Sequence, residues 1–198
     1  MTFKGGYNRI GIRKGCTMKN LVTFCTAVSL ALGIACAAAC RYFPGGAFYA
    51  LAVTFFTTFY HFAMRITVAI AVMLARRSGT AKDTVPFSLG KRERRLYGKI
   101  KVKLWKDRVP TYNKAQFAVK RGNSRELMHN MINAELGHEI MVLLSFVPLL
   151  LSERLDGFVP FMVTSVCAAL FDMQFVIIQR YNRDRLSCIM QRELTKKL

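Results

Sequence analysis

The sequence predicts an all-α membrane protein: a polytopic bundle of four transmembrane helices, both termini cytoplasmic, with a basic cytoplasmic segment between helices two and three. Three observations carry this reading. Apolar residues make up 53% of the 198 residues while the formal charge is +19, and the two properties occupy alternating blocks of the chain. Four of those blocks, 21–40, 48–75, 132–151 and 158–178, are long enough to cross a hydrocarbon layer of about 30 Å. Lysine and arginine then alternate with the blocks: five precede the first, one follows it, sixteen lie between the second and third, one between the third and fourth, and six after the last. The positive-inside rule places the rich segments in the cytoplasm of a multi-pass cell-membrane protein, and no span count other than four keeps that alternation. The whole chain, 1–198, reads as a single membrane domain. Nucleic-acid binding is excluded as a class, because no stretch outside the apolar blocks is long enough to build a core that would display the basic residues.

The first block follows a leader that carries Lys4, Arg9, Arg13, Lys14 and Lys19 and no acid. A basic start, an apolar run and a small-residue end also fit a signal peptide. The run of about 20 residues suits a spanning helix better than the ~7 to 15 of a signal core. Its alanines and glycines suit close packing on another helix, and Cys25, Cys36 and Cys40 read as small packing residues in the same role. The second block places His61 and Arg65 four residues apart, hence on one helical face, with Thr54, Thr57 and Thr58 on the same side. Two readings stand for this pair: Arg65 snorkels to the interface while His61 hydrogen-bonds within the bundle, or both are functional intramembrane polar groups.

Residues 76–123 form the one long polar segment, with 15 lysines and arginines. At its centre, RRLYGKIKVKLWKDRVP alternates Lys99, Lys101 and Lys103 with Ile100, Val102 and Leu104, a period of two that predicts a short extended stretch. Trp105, the only tryptophan, would sit at headgroup depth. Such a stretch either adheres to anionic lipid headgroups, at about 1 kcal/mol per basic residue, or forms a phosphate-binding lip beside a site.

The third block grows out of a polar start: SRELMHNMINAELGHEIMVLLSFVPLLL, residues 124–151, has no helix breaker before Pro148, which is expected to kink or end the helix. Glu135 and His138 stand on one face with Met128, Met131 and Val142, and Glu139 lies one position round. A neutral imidazole is a usable general base, and a carboxylate beside it would orient it and stabilise its charged form. His138 is therefore the candidate base and Glu135 its orienting partner; the competing reading is a hydrogen-bonded structural pair. After a turn with Glu153, Asp156 and Gly157, the fourth block buries Asp172, and Gln179 continues its stripe toward Arg180 and Arg183, candidates to hold an anionic donor or acceptor. No CxxC pair, zinc-protease HExxH, GxSxG or phosphate-cradling glycine loop occurs, so no metal or cofactor is expected.

Three stretches in order, RLYGKIKVKLWKDRVP (95–110), AELGHEIMVLLSFVP (134–148) and FVIIQRYNRDRL (175–186), resemble the glycosyl-4,4'-diaponeurosporenoate acyltransferase family, small membrane proteins of carotenoid pathways, over about residues 94–188. The resemblance implies transfer of a fatty acyl group to a sugar hydroxyl of a glycosylated carotenoid acid. By motif it marks Trp105, Lys106, Glu135, His138, Gln179, Arg180, Tyr181, Asn182 and Arg183. The chain differs in carrying Glu139 where members commonly place Trp after the histidine, and Asp184 in place of the usual Pro after YNR. The expected partners are an amphiphilic substrate, membrane lipids with anionic headgroups, and acyl-CoA or another acyl donor. Two alternatives stand beside the enzyme: a non-catalytic scaffold or lipid-binding subunit, and a small proton-coupled carrier using His61, Arg65 and Asp172.

Overall fold

The computed structural model describes residues 10–43, 46–78, 89–106, 108–109, 124–152 and 158–195. Pro44 and Gly45, the expected turn at Glu153, Asp156 and Gly157, the leader residues Lys4 and Arg9, and residues 79–88, 107 and 110–123 of the polar segment lie outside the described residues. The described chain is helical: α1 Ile10–Ala39, α2 Gly46–Arg77, α3 Lys91–Lys99, α4 Val102–Trp105, α5 Ser124–Leu144, a 3₁₀ turn Val147–Leu151, and α6 Phe158–Thr195. Four stretches are long and apolar enough to cross a membrane, Asn20–Ala39, Gly46–Arg77, Ser124–Leu151 and Phe158–Arg192, matching the four expected spans in number and order.

The helices pack as two hairpins, α1 on α2 and α5 on α6, joined by contacts of α2 with both α5 and α6, while α3 and α4 lie against α6. Pairings along the helices fix their directions. Tyr60 of α2 meets Leu144 of α5 and Met64 and Val68 meet Met141, so these two run antiparallel. Leu127 and Met131 of α5 pack on Leu186 of α6, again antiparallel. The start of α1, the end of α2, α3, α4, the start of α5 and the end of α6 therefore gather at one end, called the basic end; the end of α1, the start of α2, the 3₁₀ turn and the start of α6 form the turn end.

In a bilayer the tails are as apolar as leucine, so helices associate through close packing and polar contacts. Gly33 shows the first: a Cβ there would lie 3.2 Å from the Phe56 ring, so the bare position lets α1 and α2 approach without displacing that ring. Pro148 shows the second. It cannot donate to the carbonyl of Leu144, α5 stops there, and the Tyr60 hydroxyl donates to that carbonyl instead at 2.9 Å.

Two expectations change. The stretch with period two is not extended: it forms α3 and α4, hinged at Lys101, whose φ of 51° lies in the left-handed region. A lone strand leaves its backbone groups unpaired, and the described residues include no second strand, so the segment bonds to itself as helix. The Trp105 indole donates to the Ile100 carbonyl at 3.0 Å and ties the hinge. The second change is at the C-terminal side, where α6 continues well beyond residue 178. Residues 179–195 hold no Gly or Pro, and Leu186 and Met190 continue the apolar face against α5.

Candidate functional site

The α6 stripe Asp172, Val176, Gln179, Arg183, Leu186 is buried throughout and faces α5 and α2. It organises two polar clusters, one at membrane depth and one at the basic end.

The deep cluster is built on Asp172, whose side chain is wholly enclosed. Taking a carboxylate out of water costs several kcal/mol, so it persists only with partners. Arg65 supplies one: its Nη2 lies 2.6 Å from Asp172 Oδ2 and also donates to the Ala168 carbonyl, and its Nη1 donates to the His61 carbonyl. Its guanidinium lies over the Phe171 ring. Arg65 therefore does not snorkel. His138 supplies the other: its Nδ1 is 3.2 Å from Asp172 Oδ1, and its ring stacks on Phe175 at 4.6 Å. The His138 side chain keeps 24% of its surface exposed. An acceptor at Nδ1 fixes the tautomer that carries hydrogen there, which leaves Nε2 with the lone pair.

The cluster at the basic end is built on Arg180. Its Nε donates to Glu135 Oε1 at 2.7 Å, its Nη1 to Glu93 Oε1 at 3.0 Å, and its Nη2 to Glu139 Oε1. Arg183 adds a second cation to Glu135 at 3.1 Å. Glu93 brings α3 into the cluster and also accepts the Tyr97 hydroxyl at 2.5 Å. Burial by itself would raise the Glu93 carboxyl, but the bonds from Tyr97 and Arg180 outweigh it and hold the group below its ordinary value. Tyr97 is pushed up by its burial and then by Glu93. Around this core, Arg94 pairs with Asp184 at 2.6 Å, and Lys106 donates to Asn182 at 2.9 Å while lying over the Tyr181 ring.

The expected pairing of His138 with Glu135 is replaced. Glu135 Oε1 serves Arg180 and Arg183 and its Oε2 has no partner; the imidazole bonds Asp172. The two α5 residues do share a side of the helix, as spacing predicts, but they meet different turns of α6. Arg180 and Arg183 likewise face carboxylates rather than an open anion site. Trp105 holds the α3–α4 hinge, Lys106, Tyr181 and Asn182 meet each other, and Gln179 is buried with Oε1 unpartnered. Of the three threonines near His61, only Thr57 is buried, and all three hydroxyls donate to carbonyls of their own helix. Sequence reasoning missed Glu93 and Asp184 as partners. The signal available was chemical: five cations crowd residues 91–99 and four residues 180–192, so any acid among them is a prime ion-pair candidate.

Residues 83–192 match the family described as glycosyl-4,4'-diaponeurosporenoate acyltransferase, more than half of the chain. No curated protein and no solved structure matches. The matched region contains α3 to α5 and nearly all of α6, hence both clusters except Arg65 and His61. Within the matched region, Glu139 and Asp184 each carry an ion pair.

Proposed function

The chain belongs to the glycosyl-4,4'-diaponeurosporenoate acyltransferase family, and from that premise we propose that it moves a fatty acyl group onto a hydroxyl of a glycosylated carotenoid or similar lipid, at the cytoplasmic face of the cell membrane. The observation that carries this reading is the imidazole of His138 held at Nδ1 by a buried carboxylate that Arg65 in turn holds. Nε2 of His138 removes the proton of the acceptor hydroxyl as that oxygen bonds to the acyl carbonyl carbon. With an acyl thioester such as acyl-CoA as donor, collapse breaks the carbon–sulfur bond and the proton passes from Nε2 to the leaving thiolate. Asp172 stabilises the transient imidazolium and keeps the ring oriented.

Glu135 then acts by positioning. With Arg180 and Arg183 it joins α5 to α6 one turn from His138. The anionic part of a donor meets the exposed basic residues of α3 and α4, Arg92, Arg95, Lys99, Lys101 and Lys103, while Lys106, Asn182 and Trp105 shape the lip and Gln179 offers an acceptor to a sugar hydroxyl. Anionic headgroups fit the same surface.

The test is His138→Ala in the full chain, assayed with a glycosylated carotenoid acid and acyl-CoA, with thermal unfolding measured in parallel. General-base catalysis predicts a fall of about 10²- to 10⁴-fold in turnover with the fold retained. Turnover within a few-fold of the starting protein rejects the assignment, and loss of fold together with turnover favours the scaffold reading.

A further inference from the structure

Between α1, α2, the 3₁₀ turn and the start of α6 lies a cavity of about 410 Å³, walled by Ala37, Ala52, Phe56, Thr57, Tyr60 and Phe161 among others. Its Thr57 and Tyr60 hydroxyls are already bonded to the Val53 and Leu144 carbonyls, so the wall offers a ligand mostly apolar contact. One helical turn toward the basic end, the same faces carry His61, four residues after Thr57, and Ser165, four residues after Phe161. These side chains are buried, at 5% and 0% exposure. Both ring nitrogens of His61, Ser165 Oγ and the Nε of Arg65 have no hydrogen-bond partner. Since α2 and α6 run parallel here, with Thr57 and Phe161 on one cavity and Arg65 bonded to Ala168 and Asp172, His61 and Ser165 stand at one level. A buried polar atom without a partner costs about 1–3 kcal/mol, and these four stand one to two helical turns beyond the Thr57 and Phe161 that line the cavity.

We infer that the cavity and the His61, Ser165 and Arg65 atoms above it form a binding site for the fatty acyl group, its alkyl tail in the apolar chamber and its carbonyl oxygen beneath the buried donors. The ligand class rests on the acyl-transfer reading, while the site itself rests on the cavity and its unpartnered cap. A ligand of this kind suits both parts: the wall is mostly apolar, and one turn on are the unpartnered Ser165 O–H, one His61 N–H and Arg65 Nε–H. The α2 face from His61 to Tyr49, which lines the far side, is about 18 Å long at the α-helical rise, the length of an extended long-chain acyl group. The deep cluster borders the site through Arg65, which donates to the His61 carbonyl and to Asp172. The acyl tail then enters from the bilayer and is measured by the turn end of the bundle.

Photolabelling of the full chain in detergent micelles tests this, using methyl hexadecanoate with a terminal diazirine and the matching diazirine alkane without the ester. The expected label falls on the chamber wall near Tyr49 and Leu151. Ala52→Phe, and independently Ala37→Phe from the opposite wall, fill the chamber and lower labelling by both probes about tenfold. Ser165→Ala lowers labelling by the ester about fivefold and leaves the alkane unchanged, the ratio expected for one lost hydrogen bond. Label spread over lipid-facing residues such as Leu143 and Leu150, which are 73% and 79% exposed, with the Phe variants inert, overturns the site. Equal loss of both probes in Ser165→Ala overturns the polar cap. Specific labelling in a protein that transfers no acyl group sinks the catalytic reading alone; acyl transfer with indiscriminate labelling sinks this inference alone.

Discussion

The two polar clusters of α6 use similar residues to opposite ends. At membrane depth one carboxylate, Asp172, is shared by a permanent cation and an imidazole, and that imidazole stays partly exposed. At the basic end one guanidinium, Arg180, is shared by three carboxylates from α3 and α5. In the deep cluster a proton acceptor is left over; at the basic end every polar edge of Arg180 is engaged. A surplus base can do chemistry, whereas a saturated cation joins helices, so under the proposed function catalysis falls to the deep cluster and assembly to the other. It also explains why positive charge by itself is a poor guide to anion binding: the arginines of the QRYNR stretch are the ones already neutralised.

The comparison breaks most sharply at Asp172. Asp172→Ala leaves Arg65 as an uncompensated charge in the bundle, and removing one partner of a buried pair costs about 3–5 kcal/mol. Thermal unfolding in detergent should register that loss, and turnover should vanish with it. Asp172→Ala combined with Arg65→Leu should recover most of the stability and none of the turnover. Recovery of both would mean that the carboxylate has no part in orienting His138.

A smaller effect is expected at Arg180. Arg180→Ala leaves Glu93, Glu135 and Glu139 facing one another, with Arg183 still on Glu135. The expected destabilisation is about 2–4 kcal/mol, read as a lower unfolding midpoint, with turnover reduced only in proportion to folded protein. Arg180→Lys keeps the charge but cannot span three acceptors, and should recover less than half of the loss. A drop in turnover beyond the folded fraction would move Arg180 into the chemistry and erase the contrast between the clusters.

The mildest change is with pH. The Glu93 carboxyl sits below its ordinary value of 4.5, so its contribution is fully present above that value and is lost as pH falls through the lower, folded-state one. α3 and α4 should therefore stay docked on α6 at neutral pH and loosen only in acid. Trp105, the sole tryptophan, reports this directly: its emission should be flat from pH 8 to about pH 5 and shift below 4.5, and Glu93→Gln should abolish the shift. An emission change centred near neutral pH would assign the docking to another group.

What could be read from residues alone was whatever depends on neighbours along the chain. Apolar length and the stop at Pro148 are local or additive properties, and they gave four helices in the right order. The sharing of one side of α5 by Glu135 and His138 is local in the same sense, since three residues nearly complete a turn. Which partner each side chain meets is a different kind of fact. It depends on the register of α6 against α5 and α2, and a slide of one turn would exchange Asp172 for Val176 opposite His138. Local alternation misjudged residues 99–104 because a strand is stable only beside another strand, whereas a helix bonds to itself. The pairing of His138 with Asp172, the triple bridge on Arg180, and the apolar cavity between α1, α2, the 3₁₀ turn and α6 were decided only when the hairpins closed, because each is made of atoms far apart in sequence.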